Sequence, residues 1–343
     1  MSGGTGPRVL LARLDNAGDV LLMGPAVRAV AAAAGRVTFL AGPAGRAAAE
    51  LLPGVDEVIE FAAPWILADP PPVDAVEVQR LVDRVAALRP DAAIVFGSFH
   101  QSPLPTALLL RMAGVPLLAA TSVDYPGSLL DLRHRVADDV HEVERALDLV
   151  AAAGFPLPAD DDGRLAVRRL GRSPVPAGLG PYVVVHPGAS VPARAWAPER
   201  HAELVAALAG AGRRVVVTGG PGERELCELV AGGTAVDVSG TTDLADLAAV
   251  LAGADAVVTA NTGPAHLAAA VGTPVVSLFA PTVPAVRWRP WGVAQMLLGD
   301  QNVPCAGCRA RECPVPGHPC LGSITTREVV SAVDALAPLK ATA

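Results

Sequence analysis

The stretch that decides the fold is Val257–Pro281, VVTANTGPAHLAAAVGTPVVSLFAP, which predicts a strand, a tight turn, a helix and a second strand. Thr262 can cap the helix, Gly263 lets backbone approach a ligand, and Pro264 fits a first helical position. The free N–H groups and the positive end of the helix dipole then form an anion site suited to a pyrophosphate. An ordinary strand-to-helix connection of an α/β sheet is the alternative interpretation.

The composition limits the class of protein. At 343 residues the chain is about two domains long, and 51% of its residues are hydrophobic, which is ample for building cores. A net charge of -7 and a pI near 5.5 argue against a broad nucleic-acid-binding surface. Lys340 is the only lysine. Contacts to phosphate are therefore expected from arginine, histidine or backbone N–H groups.

Targeting and membrane-spanning signals are not found in the sequence. It has no charged-then-apolar start with a cleavage site, and no apolar run of 18 residues free of breakers. We therefore expect a soluble cytoplasmic enzyme, and we leave peripheral contact with a membrane surface open. The sequence does not determine the oligomeric state.

The two halves of the chain have the same organisation. Short apolar runs alternate with helical segments, which predicts an α/β protein with two Rossmann-like, doubly wound parallel-sheet domains facing one another across a cleft. We expect an N-terminal domain over residues 1–170, a linker over 171–181 and a C-terminal domain over 182–343. Ligands of such sheets bind beyond the carboxyl ends of the strands, where the polar, Gly-rich loops of this chain lie.

The predicted elements set the positions of these loops. The predicted strands are Val9–Leu14, Val37–Leu40, Glu57–Phe61, Ala92–Phe96 and Leu117–Ala120 in the first half, and Tyr182–His186, Val215–Thr218, Ala235–Asp237, Ala256–Thr259 and Val275–Leu278 in the second. The predicted helices of the second half include Pro198–Ala209, Glu223–Val230 and Leu244–Leu251. Pro25 is expected to kink or restart the first helix of the chain.

The candidate catalytic residue of the first half is Asp19, in the first strand-to-helix loop. A carboxylate at this position could act as a general base and take a proton from an attacking hydroxyl. A helix-capping aspartate is the alternative. Asp15 is a weaker candidate for the same role. His100 could touch an acceptor, whereas His134 and His141 are expected to be structural.

Three side chains of the second half are candidates for binding phosphate. Arg194, in the segment HPGASVPARAW, presents a planar fork of donors that matches phosphate oxygens, and a solvated surface arginine is the alternative. Ser190 could donate to the same phosphates. His266, in the first turn of an anion-facing helix, could donate to a phosphate or to the departing oxygen, although a lone histidine in an apolar helix also serves structural roles.

Two further positions fit the rest of a nucleotide. Glu223 follows a GGPG turn and could accept hydrogen bonds from ribose hydroxyls, or it could complement its own helix. Thr242 could contact an adenine edge through its backbone. There is no G-x-G-x-x-G after the first strand, no P-loop lysine and no obvious Asp-x-Asp loop, so hydride transfer and ATP hydrolysis lack their usual marks.

Four of the five cysteines form a cluster with the spacing C-x2-C-x4-C-x6-C: Cys305, Cys308, Cys313 and Cys320. Four thiolates on a short segment fit a tetrahedral structural metal, zinc first and iron second. A pair of adventitious or redox-active disulfides is the alternative. Cys227 is expected to be buried packing. No catalytic cofactor is expected.

Four segments of the chain resemble glycosyltransferase family 9, the ADP-heptose:lipopolysaccharide heptosyltransferases. They are RLDNAGDVLLMGPAVRAV, HPGASVPARAW, VTGGPGERE and GTTDLADLAAVLAGADAVVTANTGPAHLAAAVGTP. The resemblance runs from about Val9 to Val330, and the last of these segments, which resembles the family's donor-site signature, is its most specific part. The cysteine segment resembles a feature of some members, in which it is associated with a metal.

The resemblance implies the GT-B fold, an inverting sugar transfer and an ADP-activated heptose donor. Asp19 falls on the family's base, Arg194 takes the place of a lysine that is frequent in the family, and Glu223 matches the acidic residue that binds ribose. The nucleotide-contacting positions of the family fall on Thr242, Thr262, Gly263 and His266.

One departure from the family pattern is Asn261, since many members have aspartate immediately before the Thr-Gly pair. The change removes a charge beside the donor, so the nucleotide or the sugar could differ from the family norm. We expect transfer of a heptose or related sugar from an ADP-sugar to a hydroxyl of a glycan, a lipid-linked or a small-molecule acceptor. The alternatives are a nucleotide-sugar epimerase and a nucleotide-sugar-binding protein with a degraded site.

Overall fold

The chain divides into two compact units in the computed structural model, which describes residues 6–67, 69–98 and 101–339. The units are Met1–Arg168 and Arg169–Ala343. Each is built around its own parallel sheet, and each is described by itself below.

The segment 171–181, which was expected to be a linker, is part of the second unit. The backbone N–H of Gly171 donates to the carbonyl oxygen of Ala245 at 2.7 Å, and the N–H of Arg172 donates to Oδ1 of Asp246 at 2.7 Å. These bonds attach the segment to the start of a helix of the second unit.

The sheet of the first unit has six parallel strands among the described residues, in the order β3-β2-β1-β4-β5-β6. They are β1 Arg8–Arg13, β2 Arg36–Ala41, β3 Glu57–Glu60, β4 Ala92–Val95, β5 Leu117–Thr121 and β6 Leu132–His134. The central strands are buried on both faces. They therefore read as apolar runs in the sequence rather than as alternating patterns.

Helices of the first unit connect these strands. They are α1 Ala17–Leu21, α2 Gly24–Ala31, α3 Arg46–Ala49, α4 Ala75–Leu88, α5 Leu104–Met112 and α6 Glu142–Ala152, with a 3₁₀ turn at Gly127–Leu129. Pro25 lies in the first turn of α2, so the chain restarts a helix there after α1 ends, as its sequence predicts. Asp74 caps α4 by accepting the backbone N–H of Val76 at 2.8 Å.

The second unit also has a six-stranded parallel sheet within the part of the chain that the structure describes, in the order β12-β11-β10-β7-β8-β9. Its strands are β7 Tyr182–His186, β8 Arg214–Val217, β9 Val236–Asp237, β10 Ala256–Ala260, β11 Val275–Leu278 and β12 Gln295–Leu298. Its helices are α7 Pro198–Gly210, α8 Arg224–Ala231, α9 Leu244–Ala252, α10 Gly263–Ala270, α11 Ala285–Trp288, α12 Pro319–Gly322 and α13 Thr326–Leu336, with 3₁₀ turns at Pro192–Arg194 and Pro221–Glu223.

Both sheets have the same topology. Counted from the first strand of each unit, the strand order is 3-2-1-4-5-6 in both. In this arrangement the connections leave the first and fourth strands toward opposite sides of the sheet, which opens a crevice beyond their carboxyl ends. The crevice lies after β1 and β4 in the first unit and after β7 and β10 in the second.

The ten strands predicted from the sequence are all present, with ends that agree to within one residue. Two strands were missed, β6 Leu132–His134 and β12 Gln295–Leu298. Both lie at an edge of their sheet, are only partly buried and carry polar residues. Each forms only by pairing with one neighbouring strand, and the sequence of a short segment does not reveal such a partner.

Over the described residues, no helix has the length and apolar character needed to cross a bilayer.

Candidate functional site

The site of the first unit lies where β1 leads into α1. Asn16 occupies the N-cap position of α1, so Asp19 lies in the first turn rather than at the cap. Its Oδ1 accepts a hydrogen bond from Nη2 of Arg13 at 3.0 Å. The side chain is therefore bound by a cation at the end of the preceding strand, and it lies in the first turn of α1, where the helix dipole favours a negative charge.

Arg13 is the centre of a buried cluster of charges. Its Nε lies 2.6 Å from Oδ2 of Asp15, and its Nη1 lies 3.7 Å from Oε2 of Glu142. Burial alone would lower the pKa of Arg13, but the three neighbouring carboxylates outweigh it and the pKa lies above its ordinary value. Burial raises the pKa of Asp15, against the opposing effect of Arg13.

The same cluster joins the loops after the first and fourth strands. Nη1 of Arg13 donates to the carbonyl oxygen of Gly97 at 3.0 Å, and the amide of Gln101 donates to Asp15. The site therefore lies at the crevice that the strand order creates. Of the three carboxylates on Arg13, Asp19 is the most exposed, at 19% against 6% and 2% for the other two side chains. It is the one best placed to exchange a proton with a ligand.

Sequence reasoning missed Arg13 and Glu142. An arginine at the end of the apolar run Val9–Leu11 was a usable signal, because a cation in a buried strand needs anionic partners. Glu142 offered no such signal, since it begins α6, more than a hundred residues later in the chain.

The other histidines of this unit have the structural roles expected of them where the structure describes them. His134 contacts the Thr121 hydroxyl and Asp148, each at 2.9 Å. His141 caps α6 through Nδ1, which accepts the N–H of Val143 at 3.2 Å. His100 lies outside the described residues.

The start of α10 is the first component of the site in the second unit. Thr262 occupies the N-cap position, with Gly263 and Pro264 as the first two helical residues. The predicted side-chain cap is wrong, because the Thr262 hydroxyl turns back and donates to the carbonyl oxygen of Ala260 at 3.4 Å. The helix start is thus not covered by a side-chain cap, which leaves its positive end available to an anion.

Arg194 lies at this helix start. It ends the 3₁₀ turn Pro192–Arg194 that follows β7. Its Nη1 donates to the carbonyl oxygen of Asn261 at 3.5 Å, and its Nε donates to Oγ1 of Thr282 at 3.2 Å. The arginine therefore joins the loops after β7, β10 and β11, and it brings a guanidinium to the start of α10.

Asn261 and His266 are buried at the same place. Asn261 is 5% exposed, and its Nδ2 donates to the carbonyl oxygen of Ala280 at 3.4 Å. Its Oδ1 has no hydrogen-bond partner among the described residues. His266 is buried in the first turn of α10. An aspartate at position 261 would place a negative charge in this pocket, whereas the neutral amide avoids that cost.

Glu223 is held against the loop after β7. Its Oε2 accepts the N–H of Gly220 at 2.7 Å and lies 3.9 Å from Nε2 of His186. Gly188 is essential to this contact, because a Cβ there would lie 2.0 Å from Oε1 of Glu223. The carboxylate is therefore engaged locally, and one oxygen, Oε1, faces the loop.

Ser190 and Thr242 complete the predicted set. Ser190 is exposed in the loop after β7, and Thr242 is half-buried in the loop that precedes α9. Together with Arg194, Glu223 and the start of α10, they lie in loops that follow β7, β8, β9 and β10. All the predicted donor-binding residues thus lie beyond the carboxyl ends of one parallel sheet.

Two buried histidines of the second unit were not predicted: His186, which ends β7, and His201, in α7. Nδ1 of His186 is 2.9 Å from the Thr218 hydroxyl. Burial lowers its pKa, against the opposing effect of Glu223. Burial, aided by the nearby His186, lowers the pKa of His201 to about 3. Both rings are therefore neutral near neutral pH.

The four clustered cysteines line a single cavity, whose walls also include Ala193, Thr282 and His318. All five cysteines of the chain are free thiols. Burial raises the pKa of Cys320, and the neighbouring Cys313 and Cys305 raise it further. Cys227 is buried on α8 as expected, and burial raises its pKa to about 12.

This donor set suits zinc or iron by its chemistry, since four thiols line one cavity. Their present arrangement is not that of a ligand shell: in residues 6–67, 69–98 and 101–339, no three or more His, Cys, Asp or Glu side chains are grouped as metal ligands. The thiols would have to turn toward a common centre to bind an ion.

Comparison with known proteins gives a consistent family. The sequence model described as Glycosyltransferase family 9 (heptosyltransferase) matches residues 91–318, more than half of the chain. Lipopolysaccharide heptosyltransferase 3 from Escherichia coli is 32% identical over 185 residues, which cover 51% of this chain and 53% of that protein. The chain spans about half the length of the first curated relatives it matches.

Solved structures agree over nearly the whole chain. A glycosyl transferase family 9 protein from Veillonella parvula DSM 2008 has a TM-score of 0.76 at 18% identity and covers 98% of both chains. The E. coli heptosyltransferase WaaC with ADP-2-deoxy-2-fluoro heptose has a TM-score of 0.71 at 25% identity, covering 96% of this chain and 99% of that chain.

The fold class expected from the sequence is confirmed. Two parallel six-stranded sheets with flanking helices, among the described residues, match heptosyltransferases of the GT-B fold. The family model, the relatives and the solved structures all indicate the same family. The motifs at the carboxyl ends of the second sheet agree with it. This chain belongs to glycosyltransferase family 9, the heptosyltransferase family.

Proposed function

We propose that this protein is an inverting glycosyltransferase that moves a heptose or related sugar from an ADP-activated donor to a hydroxyl of a glycan, a lipid-linked or a small-molecule acceptor. The observation that carries the proposal is the guanidinium of Arg194 at the start of α10, where no side chain caps the helix. A cation and a helix N-terminus at one point suit a diphosphate. The ADP-sugar analogue in the E. coli relative supports the choice of donor.

The donor diphosphate is proposed to bind at Thr262 and Gly263. Arg194 and His266 offset the charge that grows on the departing ADP, and the backbone N–H groups of α10 assist them. Ser190 donates to the same phosphates. Because these groups are held in place before the reaction, they stabilise the developing charge without the cost of reorganising solvent.

The remaining donor contacts are assigned to the nucleoside. Glu223 accepts hydrogen bonds from the ribose hydroxyls, and Thr242 contacts an adenine edge through its backbone. Asn261 leaves this region without the negative charge that an aspartate would add. Its buried Oδ1 is an acceptor that a donor group of the ligand or a water can satisfy.

Asp19 is proposed as the general base. It removes the proton of an acceptor hydroxyl, and the resulting oxygen attacks the anomeric carbon from the face opposite the diphosphate. As the new C–O bond forms, the bond to the leaving phosphate oxygen breaks, and its electron pair departs with ADP. The configuration at the anomeric carbon is therefore inverted. No catalytic cofactor is assigned to this scheme.

The four cysteines are proposed to hold a structural metal ion, zinc or iron, through Cys305, Cys308, Cys313 and Cys320. Metal binding would add folding free energy to a segment with little regular structure. Elemental analysis of the purified protein tests the assignment, with about one equivalent expected in the wild type and a clear loss in Cys308→Ser. Protein of full stability that contains no zinc or iron would contradict it.

Nucleotide binding and product analysis together test the proposed function. We expect ADP to raise the melting temperature more than UDP or GDP does, because only a nucleotide that binds the folded state stabilises it. Incubation with ADP-heptose should then yield ADP and a glycosylated product only when an acceptor is present. Conversion of the donor sugar without acceptor would instead indicate an epimerase. Binding of ADP without transfer to any acceptor would indicate a nucleotide-sugar-binding protein.

A further inference from the structure

The cysteine segment, residues 305–320, holds the turn that carries Arg194. The N–H of Ala193 donates to the carbonyl oxygen of Arg311 at 2.9 Å. Nε2 of His318 contacts the carbonyl oxygen of Ala193 at 3.1 Å, so this nitrogen must carry the proton and donate. Both backbone groups of the residue before Arg194 are therefore bound by the cysteine segment.

The same segment holds the loop that binds the Arg194 side chain. The N–H of Gly307 donates to the carbonyl oxygen of Pro281 at 2.7 Å, and the N–H of Arg309 donates to that of Thr282 at 3.1 Å. Thr282 is buried, and its Oγ1 accepts the hydrogen bond from Nε of Arg194. The loop after β11 is thus fixed on one side by the cysteine segment and bonded on the other to the arginine.

These contacts have a common physical consequence. A free arginine side chain samples many rotamers, and part of this rotamer entropy is lost when it binds a ligand in one orientation. A side chain that is already oriented in the free protein loses less, so the ligand binds more tightly. Fixing both the backbone before Arg194 and the acceptor of its Nε is a means of orienting it.

We propose that the cysteine segment positions Arg194 for the donor diphosphate, with His318 and Thr282 as the positioning residues. The inference rests on the proposed function, in which Arg194 binds that diphosphate. The cavity lined by the four thiols shares Ala193, Thr282 and His318 as walls. A rearrangement of the thiols would therefore alter both the contact of His318 with Ala193 and that of Thr282 with Arg194. The cysteine segment is linked to the donor site in this way.

A double-mutant cycle on ADP affinity tests this proposal. Thr282→Val removes the acceptor of Nε with little change of shape. We expect calorimetry to show about a 10-fold loss of ADP affinity, because the guanidinium is no longer held in one orientation before ADP binds. Thr282→Ser keeps the hydroxyl and should retain the wild-type affinity. In an Arg194→Ala background, Thr282→Val should have no further effect, because it acts through the arginine.

His318→Asn provides the second variant. His318 has a positive φ of 46°, which asparagine tolerates, but the shorter amide does not reach the Ala193 carbonyl. We expect it to weaken ADP binding several-fold, and again to have no effect when Arg194 is absent. Glu312→Gln, on an exposed position of the same segment, is the matched control and should bind ADP as the wild type does. Melting temperatures measured in parallel separate loss of positioning from loss of folding.

The outcomes distinguish the two proposals. Unchanged ADP affinity in Arg194→Ala would refute the phosphate-binding role of Arg194, and with it the assignment made under the proposed function. The positioning role alone would be overturned if Arg194→Ala lost ADP affinity while Thr282→Val and His318→Asn both bound ADP as the wild type does. Equal losses from Thr282→Val with and without Arg194 would also overturn it, since Thr282 would then act on ADP by another route.

Discussion

The two units have the same sheet topology, but different side chains surround the arginine at the corresponding crevice. In both, an arginine at the end of the first strand or in the loop that follows it reaches the loop after the fourth strand: Arg13 donates to the carbonyl oxygen of Gly97, and Arg194 donates to that of Asn261. In the first unit the arginine is buried among three carboxylates. In the second, the guanidinium donates to the Thr282 hydroxyl and to the carbonyl oxygen of Asn261, next to the start of α10. The shared fold thus places the crevice, whereas the side chains around each arginine differ between the two units.

Because different side chains surround the two arginines, the two crevices suit different chemistry. A cluster with more carboxylates than cations suits proton transfer, and Asp19 is its most exposed carboxylate. A cation beside a helix N-terminus suits an anion. Mutations that alter one crevice should therefore affect turnover, and mutations that alter the other should affect nucleotide affinity.

Asp19→Asn is expected to have the largest effect, which is on turnover. Turnover should fall about 10²- to 10⁴-fold, the usual contribution of a general base, because the amide cannot accept the proton. ADP affinity, measured by calorimetry, should stay within about twofold of the wild type, because ADP is assigned to the other unit. Undiminished turnover in this variant would remove Asp19 from the mechanism.

Arg13→Leu should show that the first arginine is needed for stability. Removing the cation takes its ion-pair partner from the buried carboxylate of Asp15, at a cost of about 3–5 kcal/mol in the free energy of unfolding. Denaturant unfolding measures this loss. Arg194→Ala is the matched control, because its arginine is only half-buried, and it should cost far less. Similar losses in the two variants would show that the two arginines do not differ in this way.

Arg194→Ala should instead weaken ADP binding about 10- to 100-fold, because a charge-assisted contact to phosphate is lost. Arg194→Lys should recover part of this affinity, since lysine keeps the charge but not the planar fork. Calorimetry with ADP and with adenosine separates the phosphate contribution from that of the nucleoside. A loss of equal size for both ligands would contradict the assignment.

The smallest predicted effect concerns pH and belongs to the second unit. His201 has a pKa of about 3 when folded, against an ordinary value of about 6.5, so protons bind the unfolded state preferentially between these values. Its contribution to stability is complete above pH 6.5 and is lost as the pH falls, by about 2 kcal/mol at pH 5. His201→Leu should lose correspondingly less stability between pH 7 and pH 5 in denaturant titrations. Identical pH dependence in the two proteins would refute this prediction.

Much of the candidate site could be predicted because its signals are local. A few residues are enough to recognise each of three segments: the turn at Thr262 and Gly263, the glycine-rich turn before Glu223 and the loop with Asp19. Strand periodicity then places each of them at a carboxyl end. The direction of the Thr262 hydroxyl could not be predicted in this way, because it can either donate to the carbonyl oxygen of Ala260 or accept a backbone N–H at the start of α10. Both partners lie within a few residues, and packing chooses between them.

The sequence by itself determined the two parallel-sheet units, the loops that carry the polar residues and the family to which they correspond, because helix and strand formation depend on patterns a few residues long. Only the tertiary structure decided that Arg13 is surrounded by Asp15, Asp19 and Glu142, and that the cysteine segment holds the loops on either side of Arg194. These contacts join residues more than a hundred positions apart in the chain. Such partners are selected by the packing of whole elements, which no local pattern records.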